Sequence, residues 1–150
     1  MAGPAKIVRA CEKLQSQFTS GANSIAQRAA IAAMLGDLTE TYKMRDAFKQ
    51  RRDYIIGALN KIEGVKVNCP DGAFYAYPKI DSFFGMTDGT TKIGNDEEFC
   101  MYLMHKANVA TVAGRAFGSD DCIRISFANS MTALMEAIER ITKAIQELRK

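Results

Sequence analysis

The run CIRISFA at residues 122–128 constrains the fold more than any other stretch. Ile123, Ile125 and Phe127 alternate with polar residues, and this period-two pattern is typical of a strand with one buried face. Arg124 and Ser126 then lie on the other face. A strand holds an arginine in one place, where its planar guanidinium can bind a carboxylate or phosphate. Taken alone, however, the pattern favours a solvated or ion-paired surface arginine.

The composition excludes several classes of protein. The 150 residues suffice for one domain, or for one small domain with an appendage, and the net charge of +3 is too small to predict binding to nucleic acid or to a membrane. The four cysteines form no CxxC pair and His105 is the one histidine, so neither a metal site nor a secreted disulfide framework is predicted. We expect reduced cysteines and a cytoplasmic protein.

The hydrophobic period changes near residue 65. Helices are predicted first, at residues 5–18, 25–35 and 39–62, and strands and helices are mixed afterwards. The predicted strands are 65–67, 73–77, 109–112 and 122–128, and two further helices follow the capping residues Asn95 and Ser130. This order predicts an α+β layer, a three- to four-stranded sheet covered by helices. We place a domain boundary inside the long helix, which gives residues 1–44 and 45–150.

No complete catalytic motif is present. The glycine-flanked GRAFG at residues 114–118 lacks the following Lys-Ser/Thr pair of a phosphate-binding loop, and there is no GxGxxG. One histidine leaves little room for a catalytic triad. Glu97 and Glu98 lie in a first helical turn, where acidic residues are expected because of the helix dipole. The residues alone therefore predict no catalytic site.

Four local patterns nevertheless occur in a definite order. They are TSGANSIAQRAA (19–30), FKQRRDYIIGAL (48–59), PDGAFYAYP (70–78), and VAGRAFG followed by IRISFA (112–128). In this order the chain resembles the C-terminal part of class I pyridoxal-phosphate-dependent aminotransferases, α/β enzymes of fold type I, and most closely bacterial aspartate aminotransferases. The resemblance implies that residues 1–44 are the helical end of the large cofactor-binding domain. Residues 45–150 would be the small domain with its long bridging helix.

The resemblance also implies a substrate-binding role for three residues. Arg124 would grip the α-carboxylate of the substrate, and Gly72 and Phe74 would line the pocket, with ordinary core packing an equal alternative for Phe74. It implies amino acid and 2-oxo acid substrates, such as aspartate and 2-oxoglutarate, and a homodimer. It implies no nucleic acid and no membrane as partners.

Two kinds of departure from the family limit the prediction. Ala113 stands where the family usually has proline, and Arg115 where it often has a small residue, so the conformation of this loop is left open. The lysine that binds the cofactor in the family has no counterpart here. The sequence predicts that Lys79 and Lys92, the lysines nearest to strands and loops, are solvated loop residues. We therefore predict no catalytic or cofactor-binding residue, no bound pyridoxal phosphate and no activity for this chain alone. The alternative is a stand-alone, non-catalytic α+β binding module.

Overall fold

The computed structural model describes residues 2–150, which divide into two compact units. The first ends at Tyr42 and the second is Lys43–Lys150. In the first unit, helix α1 (Ala5–Phe18) follows Pro4, and helix α2 (Ser24–Leu35) follows Asn23, whose side chain accepts hydrogen bonds from the first backbone N–H groups of the helix. Both predicted helices are confirmed, yet neither contains a buried residue. The predicted boundary at residue 44 concerns domains of a longer enzyme and stays a prediction.

Helix α3 (Thr39–Leu59) ends at Leu59 rather than at the predicted residue 62. Its C-terminal half buries Ile55, Ile56 and Leu59. The strand predicted at 65–67 is wrong, since only a single bridge joins Lys66 to Lys79. Lys66 uses its own N–H and C=O for this bridge, so the backbone groups of Val67 point to the opposite side. There the Asn60 side-chain amide bonds both the N–H and the C=O of Val67 at 3.0 Å, and these groups are not available to a strand on that side.

The sheet of the second unit has three strands. They are β1 (Tyr75–Ala76), β2 (Val112–Ala113) and β3 (Ile123–Ser126), in the order β1-β3-β2 with both pairs antiparallel. The CIRISFA run is thus the central strand, and the predicted α+β layer is confirmed. Strand β1 is shorter than predicted because Ala73 has a left-handed backbone, with φ of 59°, which a strand cannot continue. Strand β2 begins later than predicted.

Two further helices cover the sheet. Helix α4 (Asp96–Tyr102) begins after Asn95, whose Oδ1 accepts a hydrogen bond from the Glu98 N–H at 3.0 Å, and ends in a π-helical turn, Leu103–Ala107. The Glu98 carboxylate accepts from the Gly94 N–H at 2.6 Å, so the predicted capping box reaches one residue further than expected. Helix α5 (Met131–Gln146) is capped by Ser130 as predicted. Among residues 2–150, no helix is both long and apolar enough to cross a membrane.

The core of the second unit fixes the two faces of β3. Ile123, Ile125 and Phe127 are buried with residues of α3, α4 and α5, as the alternation predicts. On the opposite face Arg124 is half-buried and Ser126 is exposed. The Cα of Arg124 is therefore held between two core residues while its side chain lies outside the core.

Candidate functional site

The guanidinium of Arg124 lies between two aromatic rings. Its Cζ is 4.1 Å from the ring centroid of Phe117 and 4.4 Å from that of Tyr75. Tyr75 belongs to β1 and pairs with Ser126, so it shares the face of Arg124, whereas Phe117 follows β2 on the other side of β3. Cations stack favourably on such rings. The N–H groups at the edge of the guanidinium remain available to a ligand.

No carboxylate within the described part of the chain neutralises this guanidinium. The ion pairs among residues 2–150 involve other arginines and lysines, such as Arg115 with Asp96 and Arg52 with Asp53. A half-buried arginine without an internal anion can bind an external one, because its fork geometry fits a carboxylate with two parallel hydrogen bonds. The structural ion pair that the sequence pattern allowed is absent among these residues.

The structure brings Gly72 and Phe74 into one open cavity of about 620 Å³, whose lining also includes Phe48 and Phe127 but not Arg124. The Phe74 ring, 39% exposed, lies 4.5 Å from the Tyr75 ring and 6.1 Å from the Phe48 ring, measured between centroids. Tyr75 therefore connects the cavity to Arg124. The substrate-binding role assigned to Arg124, Phe74 and Gly72 stays a prediction.

A short 3₁₀ turn, Gly114–Phe117, carries the Phe117 ring and is held at its first two residues. The Tyr77 hydroxyl donates to the Gly114 carbonyl at 2.8 Å. The fully buried carboxylate of Asp96 accepts from the backbone N–H of Arg115 at 2.9 Å and from its Nε at 2.7 Å. We call this pair the Asp96–Arg115 clamp.

The clamp keeps a buried carboxylate charged. Burial by itself would raise the pKa of Asp96, but the hydrogen bonds from the side chain and backbone of Arg115 outweigh it, and the pKa lies below its ordinary value. The same interaction raises the pKa of Arg115. A second acid, Glu97, lies 3.5 Å from the guanidinium of Arg115. Arg115 therefore neutralises acids of α4, so it does not compete with Arg124 for an external anion.

The two departures from the family pattern are compatible with an ordered turn. Ala113 has φ of −59° and ψ of 136°, a conformation that proline also adopts. The Gly114 N–H bonds the Cys122 carbonyl at 3.0 Å, so the ladder alternation turns the N–H of Ala113 away from β3. Alanine thus keeps the geometry that proline would impose, and Arg115 adds the clamp.

Three residues of this site escaped the sequence prediction. The place of Tyr75 beside Arg124 follows once the strand pairing is known. Tyr75 is paired with Ser126, and Ser126 shares a face with Arg124 because residues two apart along a strand point to the same side. Phe117 gave only the signal of an aromatic residue in a glycine-flanked loop. Asp96 was not singled out, since no local pattern reveals a partner such as Arg115, 19 residues away.

The surroundings of Lys79 do not favour covalent attachment of pyridoxal phosphate to this side chain. A lysine attacks a carbonyl as the neutral amine. The ammonium of Lys79 is instead held 3.0 Å from Asp121 and 3.2 Å from Asp81, and these hydrogen bonds raise its pKa. Within residues 2–150 no group of three or more His, Cys, Asp or Glu side chains is arranged to hold a metal ion. The four cysteines are free thiols.

Comparison with known proteins identifies the family of this chain. The family model for aminotransferase class I and II matches residues 1–141. A bifunctional aspartate aminotransferase and glutamate/aspartate-prephenate aminotransferase of Petunia hybrida is 49% identical over 97% of this chain, and an aspartate/prephenate aminotransferase of Nitrosomonas europaea is 42% identical over 95%. The crystal structure of the aspartate aminotransferase from Rhizobium meliloti superposes with a TM-score of 0.87 at 38% identity and covers 99% of this chain.

The chain therefore belongs to the class I and II aminotransferases. It spans 31% of the Petunia enzyme, 36% of the Nitrosomonas enzyme and 37% of the Rhizobium structure, about a third in each case. Membership of this family implies pyridoxal phosphate as the cofactor of a complete enzyme. The small mixed α/β layer of this chain corresponds to one part of such an enzyme.

Proposed function

We propose that this chain is the C-terminal, carboxylate-binding part of a pyridoxal-phosphate-dependent aminotransferase. The observation that carries the proposal is Arg124, which stands on the central strand between Phe117 and Tyr75 without an internal carboxylate partner. In this role its two edge N–H groups bind both oxygens of the substrate α-carboxylate. A bidentate contact fixes the plane of the carboxylate and with it the direction of the bonds at the substrate Cα.

The substrates proposed for the complete enzyme are an amino acid and a 2-oxo acid. Aspartate, or a similar amino acid, would donate the amino group, and aspartate occurs in the names of the Petunia and Nitrosomonas relatives. We propose 2-oxoglutarate as the acceptor. We further propose a cytoplasmic homodimer, with no nucleic acid or membrane partner. The free thiols agree with a reducing compartment.

Substitution of Arg124 in an aminotransferase that contains this segment tests the proposal. Arg124→Ala removes two charge-assisted hydrogen bonds of about 1.5–3 kcal/mol each, so kcat/KM should fall about 10²- to 10⁴-fold. Arg124→Lys keeps the charge but not the fork, and we expect an intermediate loss. The matched control is Arg140→Ala, which removes an exposed arginine paired with Glu136 on α5. Unchanged kinetics in both Arg124 variants would refute the assignment.

The chain alone is proposed to be inactive and not to bind the cofactor. Incubation with pyridoxal phosphate followed by borohydride reduction should give only scattered, substoichiometric lysine adducts, because Lys79 is held as an ammonium ion between two carboxylates. A complete aspartate aminotransferase treated in the same way supplies the positive control. One stoichiometric adduct at a single lysine, accompanied by turnover, would overturn this part of the proposal.

The alternative of a stand-alone binding module receives no support from the family model or from the Petunia, Nitrosomonas and Rhizobium relatives, which are aminotransferases. The exposed apolar side chains of the first unit agree better with a segment that packs against further protein. Phe18 is 84% exposed, Leu35 83% and Met34 81%. We expect the isolated chain to self-associate, and light scattering that finds a monomer at high concentration would contradict this expectation.

A further inference from the structure

The orientation of Arg124 depends on a residue from outside its own strand. The Arg124 side chain leaves β3 between flanking strands, and the Phe117 ring is, at 4.1 Å, the nearer of its two aromatic neighbours. Phe117 is 49% exposed, so its ring is not held by core packing. Its position follows from the 3₁₀ turn on which it stands. Whatever fixes that turn therefore also fixes the guanidinium.

The turn is fixed by contacts from α4 and from Tyr77. The Asp96–Arg115 clamp joins the first residue of α4 to the middle of the turn through both oxygens of a buried carboxylate. The Tyr77 hydroxyl holds the Gly114 carbonyl, and the Tyr77 ring meets the Phe117 ring edge-on, with centroids 6.4 Å apart. These contacts leave the Phe117 ring little freedom to move away from Arg124.

We infer that Phe117, held by the Asp96–Arg115 clamp, is a positioning residue for Arg124. The inference deepens the proposed function and rests on the carboxylate-binding role of Arg124. An arginine side chain that is stacked before the ligand arrives loses less rotamer freedom on binding. The two rings also keep water from the faces of the guanidinium, so a carboxylate at its edge meets a less solvated cation. Arg115 thus acts on the substrate only through the turn.

The experiment uses the 150-residue chain, diluted until light scattering shows a monomer, and NMR of the arginine Nε–Hε groups. Arg124→Lys identifies the Arg124 signal, which should lie upfield of ordinary arginine signals because of the two rings. Succinate is the probe, titrated against sodium chloride of equal ionic strength. The variants are Phe117→Leu, which removes the ring from a half-exposed position, Phe117→Tyr, which keeps it, and Asp96→Asn, which weakens the clamp.

We expect Phe117→Leu to move the Arg124 signal to the ordinary position and to weaken succinate binding about 3- to 30-fold, the range of a cation–π contact. Phe117→Tyr should restore both the shift and the affinity. Asp96→Asn should change both in the direction of Phe117→Leu but less, and Arg140→Ala should change neither. The Phe117 variants keep the measurement valid should Asp96→Asn disturb folding.

The outcomes separate this inference from the proposed function. If Arg124→Lys does not weaken succinate binding, or if succinate leaves the wild-type Arg124 signal unmoved, the carboxylate role of Arg124 fails and the inference falls with it. If Arg124→Lys weakens binding while Phe117→Leu leaves both affinity and signal unchanged, only the positioning role is overturned. An Arg124 signal at the ordinary position in the wild type would also overturn it.

Discussion

Replacement of Gly114 by alanine should damage the site through a single methyl group. A Cβ at this position would lie 2.8 Å from the Tyr77 hydroxyl and still closer to the carbonyl oxygens of Ser119 and Cys122. The hydroxyl can move, but the two carbonyls belong to the backbone around β3. The turn must therefore shift, and with it the hydrogen bonds from Gly114 N–H to Cys122 and from Tyr77 to Gly114.

The expected loss of stability follows from these contacts. Two hydrogen bonds of about 1 kcal/mol each are strained or broken, and overpacking costs about 1–3 kcal/mol. Gly114→Ala should thus lower the free energy of unfolding by about 3–5 kcal/mol, a large part of the 5–15 kcal/mol that is typical of a domain. With a urea m-value of about 2 kcal/mol/M, the midpoint should fall by about 2 M.

Urea unfolding followed by tyrosine fluorescence measures this change in the second unit. The chain has no tryptophan and five tyrosines, and all of these except Tyr42 lie in the second unit. Gly57→Ala is the matched control, because a Cβ there meets nothing within 4 Å in the interior of α3. Alanine is the better helix former, so this variant should gain about 0.5–1 kcal/mol. If the free energy of unfolding of Gly114→Ala lies within about 0.5 kcal/mol of the wild-type value, the close packing around Gly114 is refuted.

Three further changes have defined outcomes in the same assay. Ala113→Pro should raise the free energy of unfolding by about 0.4–1 kcal/mol, because the native φ of −59° suits proline and no ladder hydrogen bond is lost; a loss of stability would contradict this geometry. Asn95→Ala should lower it by about 1 kcal/mol through loss of the cap on the Glu98 N–H, and an unchanged midpoint would argue against the cap. Tyr102→Phe should lower it by about 1–2 kcal/mol at pH 7, since the buried Ala144 carbonyl loses a donor at 2.7 Å. Burial raises the pKa of Tyr102 to about 12, above the value of about 10 in an unfolded chain. The contribution of Tyr102 to the free energy of unfolding is therefore complete below about pH 10 and is lost as the pH rises to about 12. In the Tyr102→Phe variant, the free energy of unfolding should depend less on pH in this range.

The sequence predicted the helices and the central strand well, because these elements have local causes. Asn23, Asn95 and Ser130 cap helices where their positions indicate, since a cap needs only its own side chain and the next few N–H groups. The alternation of CIRISFA likewise depends only on the period of a strand. Element order and a three-stranded sheet follow from these patterns.

The flanking strands were predicted less well, because tertiary contacts decide them. Val67 belongs to a good strand sequence, yet a side chain from the end of α3 occupies its backbone groups. The strand around Tyr75 stops at Ala73, whose left-handed backbone no alanine propensity predicts. Both cases involve partners or conformations that lie outside a local window. A pattern of residues cannot show which distant group will take a hydrogen bond.

The same distinction explains why the sequence predicted Arg124 but not the residues that surround it. Arg124 could be selected from its strand, and its place opposite the core follows from Ile123 and Ile125 on either side. Its two rings come from other elements, and the Asp96–Arg115 clamp joins residues 19 positions apart. Without these contacts Arg124 is one more surface arginine, as the alternation alone suggested. In the proposed role, the property that suits Arg124 to a substrate carboxylate is therefore tertiary. A rigid strand would supply the position of the side chain, and the turn after β2 would supply its orientation.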